Sequence, residues 1–371
     1  MNLSYWEKQS WLNNVDFTII GSGIVGLSCA LHLKNKFPNS NILILEKGFL
    51  PQGASTKNAG FACFGSLSEI LEDLKSHSEE EVINLISKRW EGLLLLRKTL
   101  GDKSIGFENF GGYEIFSLYD FDNYQSCLDE RKRVNDILQP IFKKEVFTLK
   151  DNIFNFKNVQ EKLVYNNFEG QIDTGKMMTE LLMKVQSHGI KILNNISVES
   201  YSENINSVHI KTNMFEFKCN NLIIATNGFA RDLIEAEVKP ARAQVVITKP
   251  IKNIKIKGTF HLDKGFYYFR NIDNRILLGG GRNLDFKTEE TQEFGLTEII
   301  QNQLDNLLNE TILPDIDYEI DYRWSGIMGV GQKKKAIVKQ ISNKVYCGVR
   351  LGGMGIAIGS LVGKELADLV D

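Results

Sequence analysis

The chain has 371 residues, 43% of them hydrophobic and 24% charged, with a formal net charge of −2. That balance suits a soluble globular protein of about two domains and excludes long disorder. It also gives no reason to expect a nucleic-acid partner, because the run Lys333-Lys334-Lys335 is short enough to be a solvated loop.

Residues Leu3 to Leu12, with Tyr5, Trp6 and Trp11, read as a short amphipathic segment packing on the first strand. That strand is the β-branched run from Asp16 to Ile20, and it ends in Gly21-Ser22-Gly23-Ile24-Val25-Gly26. A helix to about Lys36 and a second apolar run, Ile42 to Leu45, complete a strand–helix–strand unit that ends at Glu46. In such a unit Gly21 allows the tight turn, Gly23 lets backbone approach a pyrophosphate, and Gly26 lets the helix sit close to the strand. Glu46 lies where a carboxylate accepts hydrogen bonds from an adenosine ribose. The small-residue stretch Gly48 to Ser66 suits backbone threading close to a flat ligand. The longest apolar run, Leu93 to Leu96, is far short of the roughly 20 residues of a membrane span. Met1 to Asn14 lacks a basic region followed by an apolar one, so a cytoplasmic protein is expected.

Helical spacing over Glu79 to Leu100 puts Ile83, Ile86, Trp90, Leu93 and Leu94 on one face. A strand near Gly112 to Phe116 and a charged helix over Asp122 to Leu138 follow. The helix Thr174 to His188 leads to a strand at Ile190 to Leu193. Short strands are expected at Ser207–Lys211 and Phe215–Lys218, then a buried one at Asn221 to Gly228. Between Ala243 and Trp324 the pattern alternates, with Asp273-Asn274 as a hairpin turn and one helix over Leu296 to Leu308, implying a mainly antiparallel sheet. The chain closes with a strand at Val345–Val349, the cluster Gly352-Gly353-Met354-Gly355, and a helix to about Val370. Five scattered cysteines (Cys29, Cys63, Cys127, Cys219 and Cys347) lack any zinc spacing, so buried reduced thiols are expected and no metal.

Taken together, these residues resemble the D-amino-acid oxidase/glycine oxidase superfamily of FAD-dependent oxidoreductases. The match is carried by the GSGIVG turn with Glu46, the segment Gly53 to Gly60, Gln171-Ile172-Asp173, Ala225-Thr226-Asn227-Gly228, Trp324-Ser325-Gly326 and Gly352 to Gly355. The resemblance implies an α/β protein: a Rossmann-like FAD-binding domain (1–84, 145–230 and 325–371) interleaved with an α+β substrate domain (85–144 and 231–324) on a mainly antiparallel sheet. It places FAD against Gly21, Gly23, Ile24, Val25, Gly26, Glu46 and Lys47, and against Ala54, Ser55, Thr56, Asn58, Ala59 and Gly60. Val198, Thr226, Asn227, Gly228 and Gly326 follow, then Arg350, Gly353, Met354, Gly355 and Ile356. The N-terminus of the last helix would face the flavin pyrimidine ring and stabilise negative charge there. Asn58 stands where some members carry a flavin-linking His, so non-covalent FAD is expected.

The implied activity is oxidation of a C–N bond in a small amine or amino acid by hydride transfer to flavin N5. A 2-hydroxy-acid dehydrogenase or a flavin-bound protein with a non-catalytic role are the alternatives. The electron acceptor, oxygen or another, is open. Amino-acid-oxidising members usually hold the substrate carboxylate with an Arg where this chain has Met328. The catalytic candidates are therefore Tyr267 and Tyr268, of which one can face the flavin because adjacent strand residues point oppositely, with Arg270 and Arg350. A buried Arg350 needs a carboxylate, from protein or substrate. His261 reads as a surface residue.

Overall fold

Four of the six residues of Val15–Ile20 are apolar, and the strand is buried on both faces because it lies inside a parallel sheet. In the computed structural model, which describes residues 2–370, it pairs with Ile42–Leu45 on one side and Glu216–Ile224 on the other. The sheet runs in the order Ile337–Ser342, Val345–Val349, Glu216–Ile224, Val15–Ile20, Ile42–Leu45, Lys191–Leu193. Strand Glu216–Ile224 joins the two short strands expected at 215–218 and 221–228 into one. Its first half pairs antiparallel with Val208–Thr212 and its second half parallel with the central strand. The helices Ile24–Lys36, Thr174–Ser187 and Gly355–Asp368 bury their apolar faces in one core with it.

A second sheet of eight strands runs Ile320–Val330, Lys239–Thr248, Arg275–Gly280, Tyr267–Ile272, Thr259–Leu262, Gly112–Ile115, Lys162–Asn166, Phe147–Asp151. It is antiparallel except where Gly112–Ile115 meets Thr259–Leu262. Asp273 and Asn274 form the expected hairpin turn, both with positive φ, at 46° and 59°. Phe260 and Phe269 stack at 4.5 Å in the core beneath, against helix Glu298–Leu307.

Several sequence expectations shift. Strands 147–151 and 162–166 lie in the second sheet, not on the cofactor side of the expected boundary at 145. Strand Ile320–Val330 runs straight through the expected join at 324. Helix Glu79–Leu100 lies against the last helix, where a side chain at Gly92 would strike the Ala357 carbonyl. Its buried stripe is Val82, Ile86, Arg89, Leu93 and Leu96, while Leu94 is 42% exposed. Tyr5 and Trp6 are exposed too, and within Tyr5–Leu12 only Leu12 is buried. All five cysteines are buried and free. Among the described residues no helix is long and apolar enough to cross a membrane.

Candidate active site

A cavity of about 1250 Å³ is lined from both sheets. One end is built by the glycine turn. Gly21 has φ +103°, and a side chain at Gly26 would strike the Gly21 carbonyl oxygen, so helix and strand can approach only through glycine. Gly23, Ile24 and Val25 open this helix N-terminus onto the cavity, and Ser55 Oγ accepts the Ile24 N–H at 3.0 Å. Glu46 is buried: one carboxylate oxygen accepts from the Ser22 N–H and hydroxyl at 3.1 and 2.6 Å, the other from the Gly48 N–H at 3.0 Å. Lys47 and Val198 line the same end. Ala54, Ser55, Asn58, Ala59 and Gly60 continue the wall. Asn58 staples that segment, donating to Ala54 O and Ser55 O and accepting from the Gly60 N–H and the Thr174 hydroxyl.

The opposite wall is one row across the second sheet. Register places Trp324, Val245, Gly279, Tyr268, His261 and Glu114 side by side on successive strands. Of these, Val245, Tyr268 and His261 line the cavity. Tyr268 lies over Gly279, where any side chain would meet its ring. Burial pushes its hydroxyl up to about 12. Tyr267 points the other way, into the core around Ile300 and Leu304. That side chain is therefore a packing residue, and the catalytic expectation for it is corrected.

His261 is buried, not on the surface, because Thr259–Leu262 is an inner strand. Its Nε2 donates to the buried carboxylate of Glu169 at 2.6 Å, and the Thr259 hydroxyl donates to the same oxygen at 2.7 Å. Burial alone would lower the His261 pKa, but Glu169, with Glu69 and Glu114 further off, raises it to about 9. Phe61 packs edge-on against both His261 and Tyr268, with ring centroids 5.2 and 5.6 Å away. Sequence reasoning missed Glu169, for which it offers no signal. It also missed Arg89, whose signal was present: a charged residue inside the 82-86-89-93-96 helical stripe.

Two arginines expected at the substrate are held by protein instead. Arg350 does line the cavity, but its guanidinium donates to Lys335 O, Glu237 O and the Glu237 carboxylate, at 3.0, 3.2 and 3.3 Å. Arg270 is off the cavity, clamping Gly60 O and Ile172 O at 3.1 and 2.7 Å. Burial lowers its pKa to about 10. Both are corrected to structural clamps. Arg350→Leu is expected to cost ~2–4 kcal/mol of stability by stranding its acceptors, with carboxylate affinity unchanged. Thermal unfolding beside a benzoate titration checks this, and weakened benzoate binding without lost stability would contradict it.

A family model described as FAD dependent oxidoreductase matches residues 16–369. The chain belongs to that family. It is 21% identical to gamma-glutamylputrescine oxidoreductase from Escherichia coli (strain K12), over 96% of this chain and 83% of that protein. The fold resembles the iminodiacetate oxidase IdaA from Chelativorans sp. BNC1, with TM-score 0.77 and 17% identity over 95% of each chain. It also resembles glycine oxidase from Geobacillus kaustophilus, with TM-score 0.76 and 19% identity over 96% of this chain and 94% of that one.

FAD is the cofactor of this family of oxidoreductases, and the residues present fit it. Around Gly53, Gly352 and Gly355 no atom lies within 4 Å of where a side chain would begin. These bare backbone positions form a cradle, and the buried Thr226 hydroxyl has no protein partner. Thr226, Asn227, Gly326, Gly353, Met354, Gly355 and Ile356 all line it. Gly26, Thr56 and Gly228 do not, and they act from behind. The Thr56 hydroxyl donates to Pro51 O at 2.8 Å, and a side chain at Gly228 would meet Met328 O at 2.5 Å.

Proposed function

We propose that this protein oxidises a C–N bond of a small amine or amino acid, with non-covalently held FAD and the second sheet as its substrate side. The observation that carries the reading is the row Val245–Tyr268–His261, which faces the glycine cradle across one continuous cavity. The substrates named for the relatives (γ-glutamylputrescine, iminodiacetate and glycine) all contain an amine nitrogen. When bound, FAD supplies the hydride acceptor.

The chain's own residues then have three tasks. Phe61, Val245 and Tyr268 exclude water from the reacting carbon. The Tyr268 hydroxyl, which makes no hydrogen bond among the described residues, stays protonated at neutral pH and orients a bound acceptor. The helix starting at Gly355 places its positive end toward the cradle. Domain assignment follows the sheets: the first with its helices holds cofactor, and the second, including 147–166, holds substrate.

Hydride loss from a carbon beside nitrogen needs the lone pair, which an ammonium lacks. Anaerobic flavin bleaching by a reactive amine should therefore accelerate with pH and level off above the substrate's pKa. A flat profile between about pH 6 and pH 10, around amine pKa values, would replace the amine by a hydroxy acid.

A further inference from the structure

Arg89 is 6% exposed, lines the cavity, and among the described residues has one side-chain hydrogen bond: its Nη1 donates to Phe64 O at 2.8 Å. Among the described residues no carboxylate oxygen lies within 4.0 Å of its nitrogens. Of the nearest acids, Glu69 accepts the Ser66 N–H at 2.9 Å and Asp73 is paired with Lys334 at 2.6 Å. A guanidinium buried without an anion is costly, and the remaining N–H groups form a planar fork that matches a carboxylate. The other cations on the wall differ: Arg350 is held by Glu237, and Lys47, Lys57 and Lys333 are not buried. Lys264 and Lys334 have acidic partners, and Arg282 is half-buried over the Phe286 ring. Cys63, whose Sγ lies within 4.8 Å of a His261 ring nitrogen and a Glu169 carboxylate oxygen, lines the same cavity as Arg89 and His261. His261 is held through Nε2 by Glu169, and among the described residues its Nδ1 has no hydrogen-bond partner.

We propose that Arg89, with His261 on the same cavity wall, is the subsite that holds a carboxylate of the substrate, in place of the arginine missing at Met328. The inference rests on the amine-oxidising reading and narrows it to amines that carry an acid group. Arg89 supplies the charge and the fork. The Glu169 carboxylate keeps the His261 ring turned through Nε2–H and favours the charged imidazolium, so an Nδ1–H donor is what the ring offers the ligand.

The test needs no turnover. FAD-loaded protein is titrated with benzoate and with acetate while the flavin absorption band is followed. Wild type should show a saturable shift. Arg89→Met should weaken it about thirty-fold or more, Arg89→Lys less, and His261→Asn measurably, each with full FAD content. No shift with wild type, or equal affinity in wild type and Arg89→Met, overturns the subsite. Should Arg89→Met fail to fold or lose FAD, undiminished affinity in both Arg89→Lys and His261→Asn overturns it instead. The two readings separate cleanly. An amine without a carboxylate that reduces the flavin as fast as its acid-bearing counterpart, in wild type and in Arg89→Lys, sinks the subsite alone. Carboxylate binding at Arg89 in a protein whose flavin no amine or amino acid reduces sinks the amine reading alone.

Discussion

Gly23→Val is expected to yield folded, colourless protein. Gly23 has extended backbone (φ −77°, ψ −180°) that any residue adopts, so the substitution strains no dihedral. A side chain there begins 2.9 Å from Ser55 Oγ, the atom that accepts the Ile24 N–H, and it projects into the glycine-lined end of the cavity. Valine therefore removes the room for a diphosphate at the helix N-terminus and displaces the serine that marks it. Flavin released by acid should fall to near nothing while far-ultraviolet circular dichroism stays native. Gly26 is the contrast. A side chain there would collide with the Gly21 carbonyl, so Gly26→Ala damages the strand–helix packing itself and lowers stability as well as flavin content. Full flavin retention in Gly23→Val would remove the assignment of this turn to the cofactor.

The largest stability loss should come from Glu289→Ala. Glu289 is fully buried and receives Nε and Nη2 of Arg242, both at 2.8 Å, with the Thr297 hydroxyl at 3.1 Å. This fork ties strand Lys239–Thr248 to the segment carrying Gln292, Glu293 and Phe294 on the cavity wall. Truncating the acid strands a buried guanidinium, at ~3–5 kcal/mol. Burial opposes the charge on Glu289, but hydrogen bonds from Arg242 prevail and hold its pKa below the ordinary value. Its contribution is therefore complete above the ordinary carboxylate range and fades as pH falls through the depressed value. Urea unfolding at neutral pH checks the magnitude. A loss below about 1 kcal/mol would class the pair with exposed ones. Replacing both partners by apolar residues of similar volume should cost less than the single change.

What the sequence determined by itself was local. The strand at Val15–Ile20, the glycine turn, the Asp273-Asn274 hairpin and the last helix follow from neighbours two to four residues apart, the distances over which strand and helix periodicity act, and Glu46 from its place at the end of one strand–helix–strand unit. The opposed directions of Tyr267 and Tyr268 follow from the same rule. Which of the two faces the cavity did not, because that depends on the side of the sheet covered by helix Glu298–Leu307. Partners of charged groups were likewise decided only in three dimensions. Arg350 meets Glu237, 113 positions away, and His261 meets Glu169, 92 positions away. Strand 162–166 took its sheet from pairing with Gly112–Ile115, and strand 147–151 took its place from pairing with 162–166, since its own pattern buries too little to specify it. The stripe of helix Glu79–Leu100 did carry Arg89 in plain view. That its guanidinium is left without a carboxylate is a property of everything packed around it, because desolvation and pairing are set by contacts between segments distant in the chain.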